Sequence, residues 1–313
     1  MEKYLSAQSS TIRLILGILL SILIAGLLFI IGIMAGNMIF GVKTLELQHL
    51  AQTGDNVAVL RYMLILQAVS IFIAPSICIG MMLQKPDRAF FRFKKNVRPA
   101  VYLIAGAAIV AAMPFLNLIA EMNSLLIDRI MGAGNWMAVA EASAKHLTES
   151  LLLTTDWVNM LQNIVVMAAL PAMAEELFFR GTIQELIERG TKNPHVAVIV
   201  TAVIFSALHI QFYGFIPRVA MGIFLGYLYI WFRSLWLPIA VHFVNNAAAV
   251  ILSYLIQCKH IPQWVENIGS DTATIGLSFA SFACIMYAIV LLAKYARIPL
   301  APNWSSNGPK FKL

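Results

Sequence analysis

The chain has 313 residues, of which 60% are apolar and only 12% charged, with a formal charge of +7 and a mean hydropathy of +0.80. Soluble domains carry about 25% charged residues, so this composition excludes an ordinary water-soluble fold and calls for lipid as the solvent of much of the exterior. Cys78, Cys258 and Cys284 lie in or beside apolar runs with no paired spacing, which excludes a disulfide framework and a cysteine zinc site.

Apolar runs long enough to cross a bilayer recur eight times, at about 14–40, 61–84, 99–119, 157–179, 195–213, 216–233, 235–257 and 272–296. The expected fold is therefore all-α, a polytopic bundle of about eight transmembrane helices forming a single domain over 1–313. The first run is too long for a signal-peptide core and has no clear cleavage site, so it reads as a retained span. The stretch 85–98 packs Lys85, Arg88, Arg92, Lys94, Lys95 and Arg98 among aromatics. It is expected to meet anionic lipid, at about 1 kcal/mol per charge; nucleic acid is not an expected partner, because no soluble domain is there to present it. Between the third and fourth runs, 120–156 mixes apolar and polar residues as an interfacial helix does.

Ionisable groups inside spans cost about 2.5–3.5 kcal/mol each on insertion scales and mark functional sites. They concentrate in the second half of the chain. In PAMAEELFFRG, Glu176 and Arg180 are four residues apart and suited to an ion pair. Glu175, about 100° round the helix, then points elsewhere, and Pro171 removes a backbone bond one turn earlier. In FSALH, Phe205 can pack on His209 at the same spacing. In HFVNN, His242 and Asn246 share a face, Asn245 points off it, and Pro238 is placed to open the helix locally. Each group alone reads as a structural salt bridge, a satisfied core histidine or interhelical glue. Together, a carboxylate, two imidazoles and an amide from three helices suit peptide hydrolysis, with a carboxylate activating water and N–H groups holding the oxyanion.

The ordered set EExxxR (Glu175, Glu176, Arg180), FxxxH (Phe205, His209) and HxxxN (His242, Asn246) resembles the CPBP family of intramembrane proteases, which includes CAAX-prenyl endopeptidases and Abi bacteriocin-processing proteins. The resemblance covers about 157–257, the expected protease-like core. It implies an endopeptidase acting on a peptide or protein substrate at the membrane, with Glu175 as base, His209 as its partner, and His242 and Asn246 at the oxyanion site. Glu176, Arg180 and Phe205 support them. It leaves a divalent metal such as zinc open, with Glu175, His209 and His242 as candidate ligands in a three-ligand site, although no HExxH is present.

Sixteen of the 22 basic residues fall on one side of this eight-span arrangement, which by the positive-inside rule places both termini in the cytoplasm. A cell (inner) membrane of a bacterium is the expected location, and the site is expected near its cytoplasmic face. One tension remains. An ideal fifth span from His195 puts His209 deeper than Glu175, unless part of 181–200 stays outside the bilayer or a helix tilts. The rival readings are a transporter or channel using Glu175, His209 and His242 as a proton or ion relay, and an inactive membrane scaffold.

Overall fold

The computed structural model describes residues 10–83, 90–93, 96–132 and 134–297, and the described residues are helical with no strand. Much of the 85–98 stretch expected to meet lipid lies outside them, as do Lys3, Lys310 and Lys312. In chain order the helices are α1 (Ser10–Phe40), α2 (Thr44–Thr53), α3 (Val57–Leu83), α4 (Pro99–Ala111), α5 (Met113–Met131) and α6 (Trp136–Leu152). They continue with α7 (Trp157–Thr191), α8 (Pro194–Ala207), α9 (Phe215–Phe232), α10 (Trp236–Gln257) and α11 (Ile275–Tyr295).

Local chemistry sets these boundaries. The side chains of Asn56, Asn135, Asp156 and Asn193 each accept two backbone N–H groups at the start of α3, α6, α7 and α8, satisfying donors that a helix start leaves orphaned. Pro194 follows its cap at a position where a missing N–H costs nothing. Lys192 and Arg233 adopt left-handed conformations that end α7 and α9.

Among the described residues six helices (α1, α3, α7, α9, α10 and α11) are long and apolar enough to cross a membrane, and α4 with α5, bent by 43° at their junction, makes a seventh if the pair is one span. This is a multi-pass helical bundle. The fifth expected span differs: α8 has 14 residues, about 21 Å of helix, short of a hydrocarbon core of about 30 Å. The missing length lies in its predecessor. α7 continues as one helix through the polar residues after Arg180, widening into π-helical turns at Ile164–Ala169 and Phe179–Gln184. Pro171, just beyond the first, is accommodated there. Pro238 does not open its helix, because it lies in the first turn of α10, where the backbone N–H groups have no intrahelical partner in any case.

α7 is the pillar of the bundle, packed against α3 and α10, while α8 and α9 form a close antiparallel pair beside its second half. The core between α4, α9 and α10 is built from Val101, Ala105, Ile109, Leu225, Leu228, Leu237 and Val241. At one end of the bundle, Glu185 of α7 is paired with Arg92 and Arg189 and accepts the Tyr229 hydroxyl, and Glu188 takes Arg233 through both oxygens. At the other end, Arg61 of α3 grips Asn159, Gln162 and Asn163 at the start of α7.

Candidate active site

The extension of α7 resolves the depth problem posed by the sequence. Sixteen residues separate Glu175 from the end of α7 at Thr191, about 24 Å of helix. α8 then returns, and the fifteen residues from Pro194 to His209 retrace about 22 Å. Glu175 and His209 therefore lie at one level, in the middle of the bundle.

Glu175, His209, His242 and Asn246 all line one cavity of about 570 Å³. Arg180 and Glu176, beneath it, have no exposed side-chain surface and are joined at 2.5 Å. The same Glu176 oxygen accepts Nδ1–H of His242 at 2.8 Å. That bond orients the imidazole so that Nε2 faces Glu175, 3.9 Å from its carboxylate. Arg180 donates onward to the Gly222 carbonyl at 3.1 Å and lies over the Phe205 ring. Phe205 in turn packs edge-on against His209, ring centroids 4.9 Å apart. Its carbonyl accepts Nδ1–H of His209 at 2.8 Å, which leaves Nε2 of that ring unprotonated in the neutral form. Glu176 thus contacts His242, Phe205 contacts His209, and Arg180 touches both Glu176 and Phe205.

Two details differ from the sequence reading. The imidazole beside Glu175 is that of His242, whereas His209 reaches the cavity from the turn after α8. Asn245 does not point away: it lines the cavity with Asn246 and donates to it at 3.1 Å. The Asn246 amide lies 3.5 Å from the carbonyl of Met167, the oxygen to which Pro171, four residues on, has no N–H to return. Helix periodicity alone missed Asn245, which lines the cavity beside its chain neighbour.

Arg218 is a site residue that sequence motifs did not single out. It lines the cavity near the start of α9, donating to the Gln211 backbone and side-chain oxygens at 3.0 and 3.2 Å. An arginine inside an apolar run at 216–233 was the available signal.

A metal does not fit this arrangement. Among the described residues no three His, Cys, Asp or Glu side chains gather as a metal-binding group. Glu175, His209 and His242 share the cavity without sharing a coordination point.

The cavity is one-sided. Its upper walls come from Asn117 and Ala120 of α5, Thr148 of α6 and Gly214, Pro217 and Arg218 at the start of α9. Below Glu175 the bundle is filled by Glu176, Arg180 and Phe205, then by Gln184 bonded to the Gly226 carbonyl, then by Tyr229 and Glu185. The open end belongs to the segments 117–148 and 209–218, opposite the end that carries Arg98, Arg189, Lys192 and Arg233.

Comparison with known proteins agrees with the motifs. The chain is similar to an uncharacterized protein of Bacillus subtilis (strain 168), YpbD, with 29% identity over 103 residues, 32% of this chain and 48% of that protein. The match thus spans about half the length of that relative. No solved structure matches. Residues 157–248, which hold all three motifs, match the family described as type II CAAX prenyl endopeptidase Rce1-like, a family of intramembrane peptidases, the likeness that the resemblance to CPBP proteases implies.

Proposed function

We propose that this protein is an intramembrane endopeptidase whose protease core is 157–257. Glu175 acts as the general base that takes a proton from water held in the cavity. The hydroxide so formed adds to the substrate carbonyl. His209, with an unprotonated Nε2 facing the same space, accepts and returns a proton as the amine leaves. The amide of Asn246 donates to the developing oxyanion. His242 joins it there when the ring carries a proton on Nε2, its Nδ1–H being committed to Glu176. The substrate is a peptide segment at the membrane, and the walls given by α3, α5 and α6 screen it from lipid.

The observation that carries this reading is the convergence of Glu175, His209, His242 and Asn246 on one cavity that a water molecule can enter. An aqueous channel between the two faces would need an open path to the far end, and that path is filled by the buried layer around Arg180. The test compares peptides released from membranes of cells expressing the wild type and Glu175→Gln. Loss of a general base lowers turnover by about 10²–10⁴-fold, so cleavage products present with the wild type vanish with the variant. Identical peptide profiles from two equally abundant, folded proteins would refute the assignment.

A further inference from the structure

The charge distribution and the direction of the cavity together fix which side of the membrane supplies the substrate. Arg98, Arg189, Lys192, Arg233, Lys294 and Arg297 occur at helix termini or turns at the end of the bundle where the cavity is closed. The carboxylates of that end within the described residues, Glu185 and Glu188, are both held in ion pairs. The open end has the opposite character. Segments 117–156 place Glu121, Asp128, Glu141, Glu149 and Asp156 there against Arg129 and Lys145. Its other cations are Lys43, Lys259, Arg61 and Arg218, the last two bound to neutral amides, and Glu46, Asp55, Glu266 and Asp271 add further carboxylates at the same end. Lys and Arg near helix ends are retained on the cytoplasmic side.

We infer that the cavity opens away from the cytoplasm, with both termini inside, so that the scissile peptide segment is presented from the extracytoplasmic face. This rests on the cavity being the hydrolytic site, but its sidedness is measurable without any activity. The depth of Glu175 supports the same orientation. The 24 Å of α7 beyond it (16 residues at about 1.5 Å each) leaves a substrate no entry from the cationic end. The substrate class is accordingly an exported peptide or the outer juxtamembrane segment of a membrane protein, not a cytoplasmic tail.

The test is thiol labelling of the full chain in intact bacterial cells with a membrane-impermeant maleimide, in a background where Cys78, Cys258 and Cys284 are replaced by alanine. Glu149→Cys and Lys145→Cys report the open end, since both side chains are at least half exposed on α6 and share only a 3.8 Å surface pair. Gly190→Cys and Asn96→Cys report the cationic end; both positions are exposed, and a Cβ at 190 meets nothing within 4 Å. The expected result is full labelling of the α6 positions before lysis and of Gly190→Cys and Asn96→Cys only after it. Any other pattern, including labelling of both ends in intact cells, overturns the inference. The Glu175→Gln comparison stands or falls separately.

Discussion

Glu176 and His242, 66 residues apart on different helices, share a hydrogen bond of 2.8 Å whose acceptor oxygen is also the one that pairs with Arg180. A residue that does not itself line the cavity thus sets the imidazole that does, and it does so from a position with no exposed surface. Glu176→Gln keeps an acceptor for both neighbours but removes the charge that compensates Arg180. Leaving a buried charge without its partner costs about 3–5 kcal/mol. We expect thermal unfolding in detergent to move down accordingly, and Arg180→Met added to Glu176→Gln to recover a large part of the loss. If the double variant is as unstable as the two single losses summed, compensation of Arg180 is not what Glu176 supplies.

Gly222 and Gly226 of α9 accept hydrogen bonds from Arg180 and Gln184 of α7, two rungs one helical turn apart. A Cβ at Gly222 would lie 3.0 Å from the Cβ and 3.1 Å from the Cα of Ala202 on α8. Because one of these is backbone, α8 and α9 must separate, which also lifts the Gly222 carbonyl from Arg180. Overpacking of this kind costs about 1–3 kcal/mol. Gly222→Ala should therefore destabilise, and Ala202→Gly in the same chain should offset part of that, although glycine in a helix itself costs about 1 kcal/mol. Strict additivity of the two changes would show that the helices do not meet here.

How far the sequence alone reaches is visible in these residues. The apolar runs, the caps Asn56, Asp156 and Asn193, and the i,i+4 pairs Glu176/Arg180 and Phe205/His209 are local features, governed by helix periodicity and side-chain-to-backbone bonds. The two pairs are found in the fold as expected, the apolar runs are helices of spanning length except the fifth and the bent third, and the caps, which the sequence reading passed over, are equally local. What is not local is not legible. The run after Arg180 is polar enough to suggest an interfacial loop, yet Glu185 and Glu188 are neutralised by Arg92 and Arg233 from elsewhere in the chain, and α7 continues through them. That continuation alone shortens α8 and brings His209 level with Glu175. Asn245 and Arg218 join the cavity for a similar reason: which side chains line it depends on how α9 and α10 pack with α7.

The candidate metal ligands give a direct chemical test. Since Glu175, His209 and His242 do not gather as a metal-binding group, incubation with EDTA or 1,10-phenanthroline is expected to leave Glu175-dependent cleavage unchanged. Loss of cleavage that returns on adding zinc would show that the cavity closes around an ion when substrate or metal is present.

Ile210 follows His209 with φ +57°, a conformation that a β-branched residue adopts only at a cost, of order 1–3 kcal/mol. The strain is held between the end of α8 and the turn at Phe212–Gly214, which Asn123 of α5 fastens through two bonds of 2.7 Å to the Phe212 and Tyr213 carbonyls. It fixes the backbone that carries the His209 ring into the cavity. Glycine adopts the same φ freely, so Ile210→Gly should leave stability unchanged or raise it by up to about 1 kcal/mol, strain relief being set against the greater entropy of the unfolded chain. The turn would also lose its rigidity, and catalysis depends on placement of the reacting groups. The expected signature is a fall in kcat with little change in KM and no loss of thermal stability. A variant that unfolds earlier in detergent while cleaving at the wild-type rate would mean that Ile210 serves packing and not the placement of His209.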